Sequence, residues 1–108
     1  MKKDKAAITV AIVEDDVKVR NSLARLIDST EGFACVSQHP DAENALKEIP
    51  ISLPQVVLMD INLPGMNGVD CVRRLKEILP KTQVVMLTSM KTLTSFLALS
   101  RPVPAAIY

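Results

Sequence analysis

The sequence predicts an α/β fold, a doubly wound parallel sheet with helices on both faces. Three observations carry the prediction. Short, nearly continuous apolar runs recur at 8–13, 33–37, 56–59 and 84–87. Such runs suit strands buried on both faces. Between them lie segments with apolar residues at helical spacing, and repeated strand–helix units imply parallel strands with right-handed crossovers. The first, third and fourth runs also end on acidic or hydroxyl residues.

In chain order, a basic tail (1–7) precedes the first strand, Ile8–Val13, which is stopped by Glu14, Asp15 and Asp16. Val19, Leu23, Leu26 and Ile27 then repeat with a helical period through Ser29. Glu31-Gly32 breaks that helix, and Phe33–Ser37 reads as the second strand. Asp41 is placed to cap a second helix whose stripe is Ala42, Ala45, Leu46 and Ile49. Pro50 and Pro54 are expected to bracket a loop. Val56–Met59 forms the third strand, ended by Asp60, and Leu63 to Gly68 is turn chemistry. Val69, Val72, Leu75 and Leu79 mark a third helix closed by Pro80. Val84–Leu87 is the fourth strand, ended by Thr88 and Ser89.

Composition removes several functional classes. The 108 residues are 48% apolar and 23% charged, with a formal net charge of +1, which suits one small ordered domain. No apolar run approaches the ~20 residues of a membrane span, and no signal-peptide core follows the basic start, so a cytoplasmic location is expected. Two cysteines and one histidine cannot build a multi-ligand zinc or haem site. Cys35 and Cys71, each among apolar neighbours, read as buried thiols. The near-zero charge leaves no footprint for direct nucleic-acid binding. Three glycines and no glycine-rich loop argue against a nucleotide-phosphate cradle.

The acids carry the positive signal. Ligands of such sheets bind beyond the carboxyl ends of the strands. Glu14 and Asp15 follow strand one, Asp60 follows strand three and Thr88 follows strand four. With these strands adjacent, three carboxylates meet in one crevice. Like charges so close need a counter-ion, and an oxygen-only donor set suits Mg²⁺. An aspartate beside Mg²⁺ is a competent nucleophile toward phosphorus, and the Thr88 hydroxyl is placed to bond the incoming phosphoryl oxygens.

The same residues carry a family resemblance. Ile12-Val13-Glu14-Asp15-Asp16, the run Val57 to Gly68, and Val85-Met86-Leu87-Thr88-Ser89 resemble the receiver domain of bacterial two-component response regulators. The resemblance covers residues 8 to 89 and is strongest to receivers that precede a LuxR-type helix-turn-helix domain. It implies a flavodoxin-like (CheY-like) sheet of order 2-1-3-4-5. It implies Asp60 as phosphoacceptor, Asp15 as direct and Glu14 as water-mediated Mg²⁺ ligands, and Asn62 offering its backbone carbonyl to the metal. Thr88 would bond the phosphoryl group, Pro64 and Gly65 would shape the loop, and Gly68 would start the third helix. Asp16 reads as a neighbour of the acid pair. The implied phosphoryl donor is a histidine kinase.

After Ser89 the resemblance stops, and 90–108 reads as a divergent tail. The family's lysine would fall just past Tyr108, followed by the last helix, so both are expected to be lacking. Read one base earlier, codons for Met90-Lys91-Thr92 can encode tyrosine-glutamate-aspartate, the family's usual continuation. Pro102 to Tyr108, shifted likewise, can encode its approach to strand five. The expectation is a one-base frameshift near Ser89 and a truncated receiver. Leu93, Phe96, Leu97 and Ser100 keep a weak helical stripe, and Ala105 to Tyr108 is placed as a short fifth strand. An uncovered sheet face would favour homodimers. Two other functions fit part of the same pattern. One is a receiver-fold interaction module unable to switch. The other is a phosphohydrolase acting through Asp60, disfavoured because Asn62 stands where such enzymes place a further acid.

Overall fold

The structure, a computed structural model, describes residues 7–61, 63, 65–66, 68–87, 93 and 97–98. The elements alternate as β1 (Ile8–Val13), α1 (Val17–Ser29), β2 (Phe33–His39), α2 (Ala42–Ser52), β3 (Val56–Asp60), α3 (Gly68–Ile78) and β4 (Gln83–Leu87). The four strands form one parallel sheet in the order β2-β1-β3-β4. This is the doubly wound, CheY-like arrangement the sequence predicts. The place expected for a fifth strand, and the frameshift expectation, fall on tail residues outside the described set.

Alternation along each strand divides the interior into two cores. Val10, Ile12, Val56, Leu58 and Val85 face Leu23, Ala24 and Ile27 of α1, together with Phe33. Of the tail's helical stripe, Leu93 is fully buried in this core, and Leu97 packs against it. Ala11, Val13, Val57, Met59 and Val84 face the other way, onto α2 (Ala42, Ala45, Ile49) and α3 (Cys71, Leu75). Ten of these strand residues, Val10 to Val13, Val56 to Met59, Val84 and Val85, are buried, which explains why the runs lack polar alternation. Every buried side-chain nitrogen or oxygen among the described residues has a hydrogen-bond partner. Both thiols are free; Cys71 is buried and Cys35 half-buried. Burial pushes each up to about 11, so neither is a ready nucleophile.

Helix starts follow the expected chemistry. Asp41 caps α2 by accepting from the Asn44 N–H at 2.7 Å. Asp16, read as a mere neighbour of the acid pair, caps α1, accepting from the Lys18 and Val19 amides at 2.9 and 3.1 Å. Two boundaries need correction. Pro50 lies inside α2, which runs on to Ser52 rather than ending in a loop. A proline this near the end removes one amide donor, and the fully buried Ile49 holds the turn in place. The Leu53 N–H then closes it on the Ile49 carbonyl at 2.9 Å. The second strand also runs two residues further than predicted, because Gln38 and His39 pair with Ile12 and Val13.

Candidate functional site

Sheet register builds the site. Val13 pairs with Met59, and Asp60 pairs with Leu87. One step beyond these pairs, Glu14 lies level with Asp60 at the carboxyl edge of adjacent strands. Glu14, Asp15 and Asp60 each offer an oxygen, and these oxygens lie within 4.8 Å of one another. Glu14 is buried, Asp60 half-buried and Asp15 exposed. The three predicted carboxylates therefore do meet. Asn62, Pro64 and Thr88, the other residues expected at this edge, lie outside the described residues.

Glu14 is the most constrained of the three. Its N–H donates to the His39 carbonyl at 3.0 Å. Its own carbonyl accepts from the Arg20 guanidinium at 2.8 Å, and its Oε2 accepts from the Asp16 N–H at 3.1 Å. Its carboxyl is nevertheless pushed up to about 7. Burial is the main cause, and the charges of Asp60 and Asp15 and a hydrogen bond with the Asp15 side chain add to it. The Asp16 amide works in the opposite direction. This is the signature expected of acids brought together for a cation. The oxygen-only donor set and the spacing fit a hard divalent ion such as Mg²⁺, whose charge would offset the cost of ionising Glu14 here.

The helices reinforce the polarity. In a parallel βα sheet the helix N-termini gather at the carboxyl edge, where their unpaired amides favour anions. Gly68, the first residue of α3, touches the loop that follows Asp60. A Cβ there would stand 2.6 Å from the Asp60 carbonyl oxygen and 3.0 Å from the Ile61 Cα. Only glycine lets α3 start this close to the acid. Gly65, with φ +73°, supplies the left-handed turn between them.

Three residues that fix Glu14 stand outside the predicted site. Arg20 and His39 hold the Glu14 backbone from opposite sides. Asp16 both caps α1 and offers its amide to Glu14. His39 is itself fixed, with Nδ1 bonded to Asn44 Oδ1 at 2.8 Å and Nε2 to Ser37 Oγ at 2.9 Å. No local signal marks Arg20, because Lys18 is likewise a cation in the opening turn of α1.

Residues 10–100 match the family model of the response regulator receiver domain. The chain belongs to that family. It is 35% identical over 92 residues to a protein-glutamate methylesterase/protein-glutamine glutaminase 2 of Burkholderia thailandensis, covering 85% of this chain and 26% of that protein. It is 36% identical over 81 residues to the response regulator GacA of Pseudomonas aeruginosa, covering 75% of this chain and 38% of that protein. Among solved structures, a LuxR-family two-component response regulator from an Aurantimonas species superposes with a TM-score of 0.71. That match has 27% identity and covers 85% of this chain and 69% of the other. The chain thus spans between a quarter and two fifths of those two curated relatives. Among the described residues no helix is long and apolar enough to cross a membrane.

Proposed function

We propose that this chain is a phosphoacceptor in a two-component phosphorelay, phosphorylated on Asp60 by a histidine kinase in a Mg²⁺-dependent reaction. The supporting observation is the convergence of Glu14, Asp15 and Asp60 within 4.8 Å at the carboxyl edge of the sheet. Glu14 and Asp15, with Asp60 itself and the Asn62 carbonyl, would hold the cation. Mg²⁺, when bound, supplies neutralisation of the phosphoryl oxygens and of the clustered acids.

The protein's own residues do the rest. An Asp60 carboxylate oxygen attacks phosphorus, the bond from phosphorus to the donor imidazole nitrogen breaks, and the imidazole leaves carrying its proton. Gly68 leaves room for the loop beside Asp60. The Thr88 hydroxyl accepts the role of bonding the transferred group. The chain acts as a switch and not as an enzyme on external substrates, in the cytoplasm, with no direct hold on nucleic acid.

The test is intact-mass measurement after incubation with MgCl₂ and a small phosphodonor such as acetyl phosphate. A labile phosphoryl adduct on the wild type, absent from Asp60→Ala and from samples without Mg²⁺, is the expected outcome. No adduct on the wild type would favour a receiver-fold interaction module. Continuous turnover of a phosphate ester would favour hydrolysis.

A further inference from the structure

We propose that Arg20 is a positioning residue for the metal-binding carboxylates, acting through the backbone of Glu14. The inference rests on the Mg²⁺ reading given above. Side chains on a helix lean toward its N-terminus. Arg20, one turn into α1, therefore reaches back over the Asp16 cap, and its Nη1 donates to the Glu14 carbonyl at 2.8 Å. That carbonyl belongs to the peptide joining Glu14 to Asp15. Fixing the plane of this peptide sets the direction of both acidic side chains at once.

Two further features single Arg20 out. Arg20, like Lys18 before it, is a cation near the start of α1 that opposes the helix macrodipole, so helix stability does not account for it, and its bond to the Glu14 carbonyl is what distinguishes it. The other side of Glu14 is already fixed, because its N–H bonds the His39 carbonyl and His39 is held by Asn44 and Ser37. With Arg20 in place Glu14 is held from both sides. Without it, repulsion among Glu14, Asp15 and Asp60 is free to rotate the Glu14–Asp15 peptide and open the cluster. Arg20 thus does for these ligands what outer-shell partners do for metal ligands generally.

The experiment is calorimetric titration of MgCl₂ into the full chain, for wild type, Arg20→Ala, Arg20→Lys, Glu14→Gln and the Arg20→Ala/Glu14→Gln double variant. Arg20→Ala is expected to weaken Mg²⁺ binding about tenfold, the lower end of outer-shell effects. Arg20→Lys, which keeps one donor and the charge, should recover part of that loss. In the Glu14→Gln background the Arg20→Ala effect should shrink but not vanish, because the backbone bond then positions Asp15 alone. Unchanged or tighter Mg²⁺ binding by Arg20→Ala would overturn the inference, since removal of a nearby positive charge alone predicts tighter binding. Full additivity in the double variant would overturn it as well. Should Arg20→Ala prove unstable, Arg20→Lys against wild type decides the same question: wild-type affinity at lower donor number counts for charge, and a loss counts for geometry. Failure of the wild type to take up Mg²⁺ would remove the parent reading along with this one.

Discussion

The two ends of the sheet are built from the same strands and treat polar groups in opposite ways. At the carboxyl end, Glu14, Asp15 and Asp60 crowd together and raise one another's energy. At the amino end, polar groups are tied off. Lys76 donates to the Pro80 and Thr82 carbonyls at 3.1 and 2.8 Å, and the Thr82 hydroxyl donates to the Pro54 carbonyl at 3.2 Å. Around them lies an open, mostly apolar groove of about 640 Å³ lined by Leu53, Ile78 and Leu79, among others. All strands point one way, so one end receives helix N-termini and the other receives helix C-termini with their spare carbonyls. A cation such as Lys76 therefore stabilises one end, while the acids at the other end are a cost that a bound cation offsets.

The largest expected effect tests that cost. Glu14 takes up its proton at about 7 in the folded chain against 4.5 in the unfolded one. Between these values the folded state binds more protons. Stability from this group is therefore fully present below pH 4.5 and lost as pH rises through 7, by at most about 3 kcal/mol. Solvent at the exposed Asp15 reduces that figure. Thermal melts without Mg²⁺ should show a higher midpoint at pH 5 than at pH 8, and Glu14→Gln should flatten the difference. Added Mg²⁺, which needs ionised ligands, should raise the midpoint more at pH 8 than at pH 5.

Next in size is Gly68→Ala. The added methyl would meet the Asp60 carbonyl oxygen at 2.6 Å, a backbone atom that cannot move aside cheaply. Overpacking of this kind costs about 2 kcal/mol and would also displace the loop that carries the acid. Urea unfolding should show the loss, and the yield of phosphoryl adduct should fall with it.

The smallest effect belongs to the amino end. Lys76→Met keeps the apolar stem but removes both bonds to the loop before β4. About 1 kcal/mol should be lost, since the ammonium is partly solvated. Mg²⁺ affinity should not move. A change there would break the separation between the two ends.

Much of this was legible in the residue order. Val56–Met59 is apolar throughout and Ile8–Val13 nearly so, and few structures other than a buried parallel strand accommodate such runs between helical repeats. Asp41 announced its helix because a carboxylate before an apolar stripe has one common use. Pro50 misled, because the local cost of a missing amide is small at a helix end and the burial of Ile49 outweighs it. Arg20 and His39 were illegible as neighbours of Glu14. Their bonds join β1 to α1 and to β2 through backbone atoms, which carry no mark in the sequence.

The sequence by itself determined the polarity of the molecule: which strand ends carry acids, and which segments are strands at all. Apolar period and the chemistry of caps and turns are local properties, so they survive without coordinates. Only the tertiary structure decided that Glu14 stands level with Asp60, that its backbone is held from both sides, and that Gly68 must lack a side chain. Those facts depend on strand register and on the distance between chain segments far apart in sequence, which packing sets.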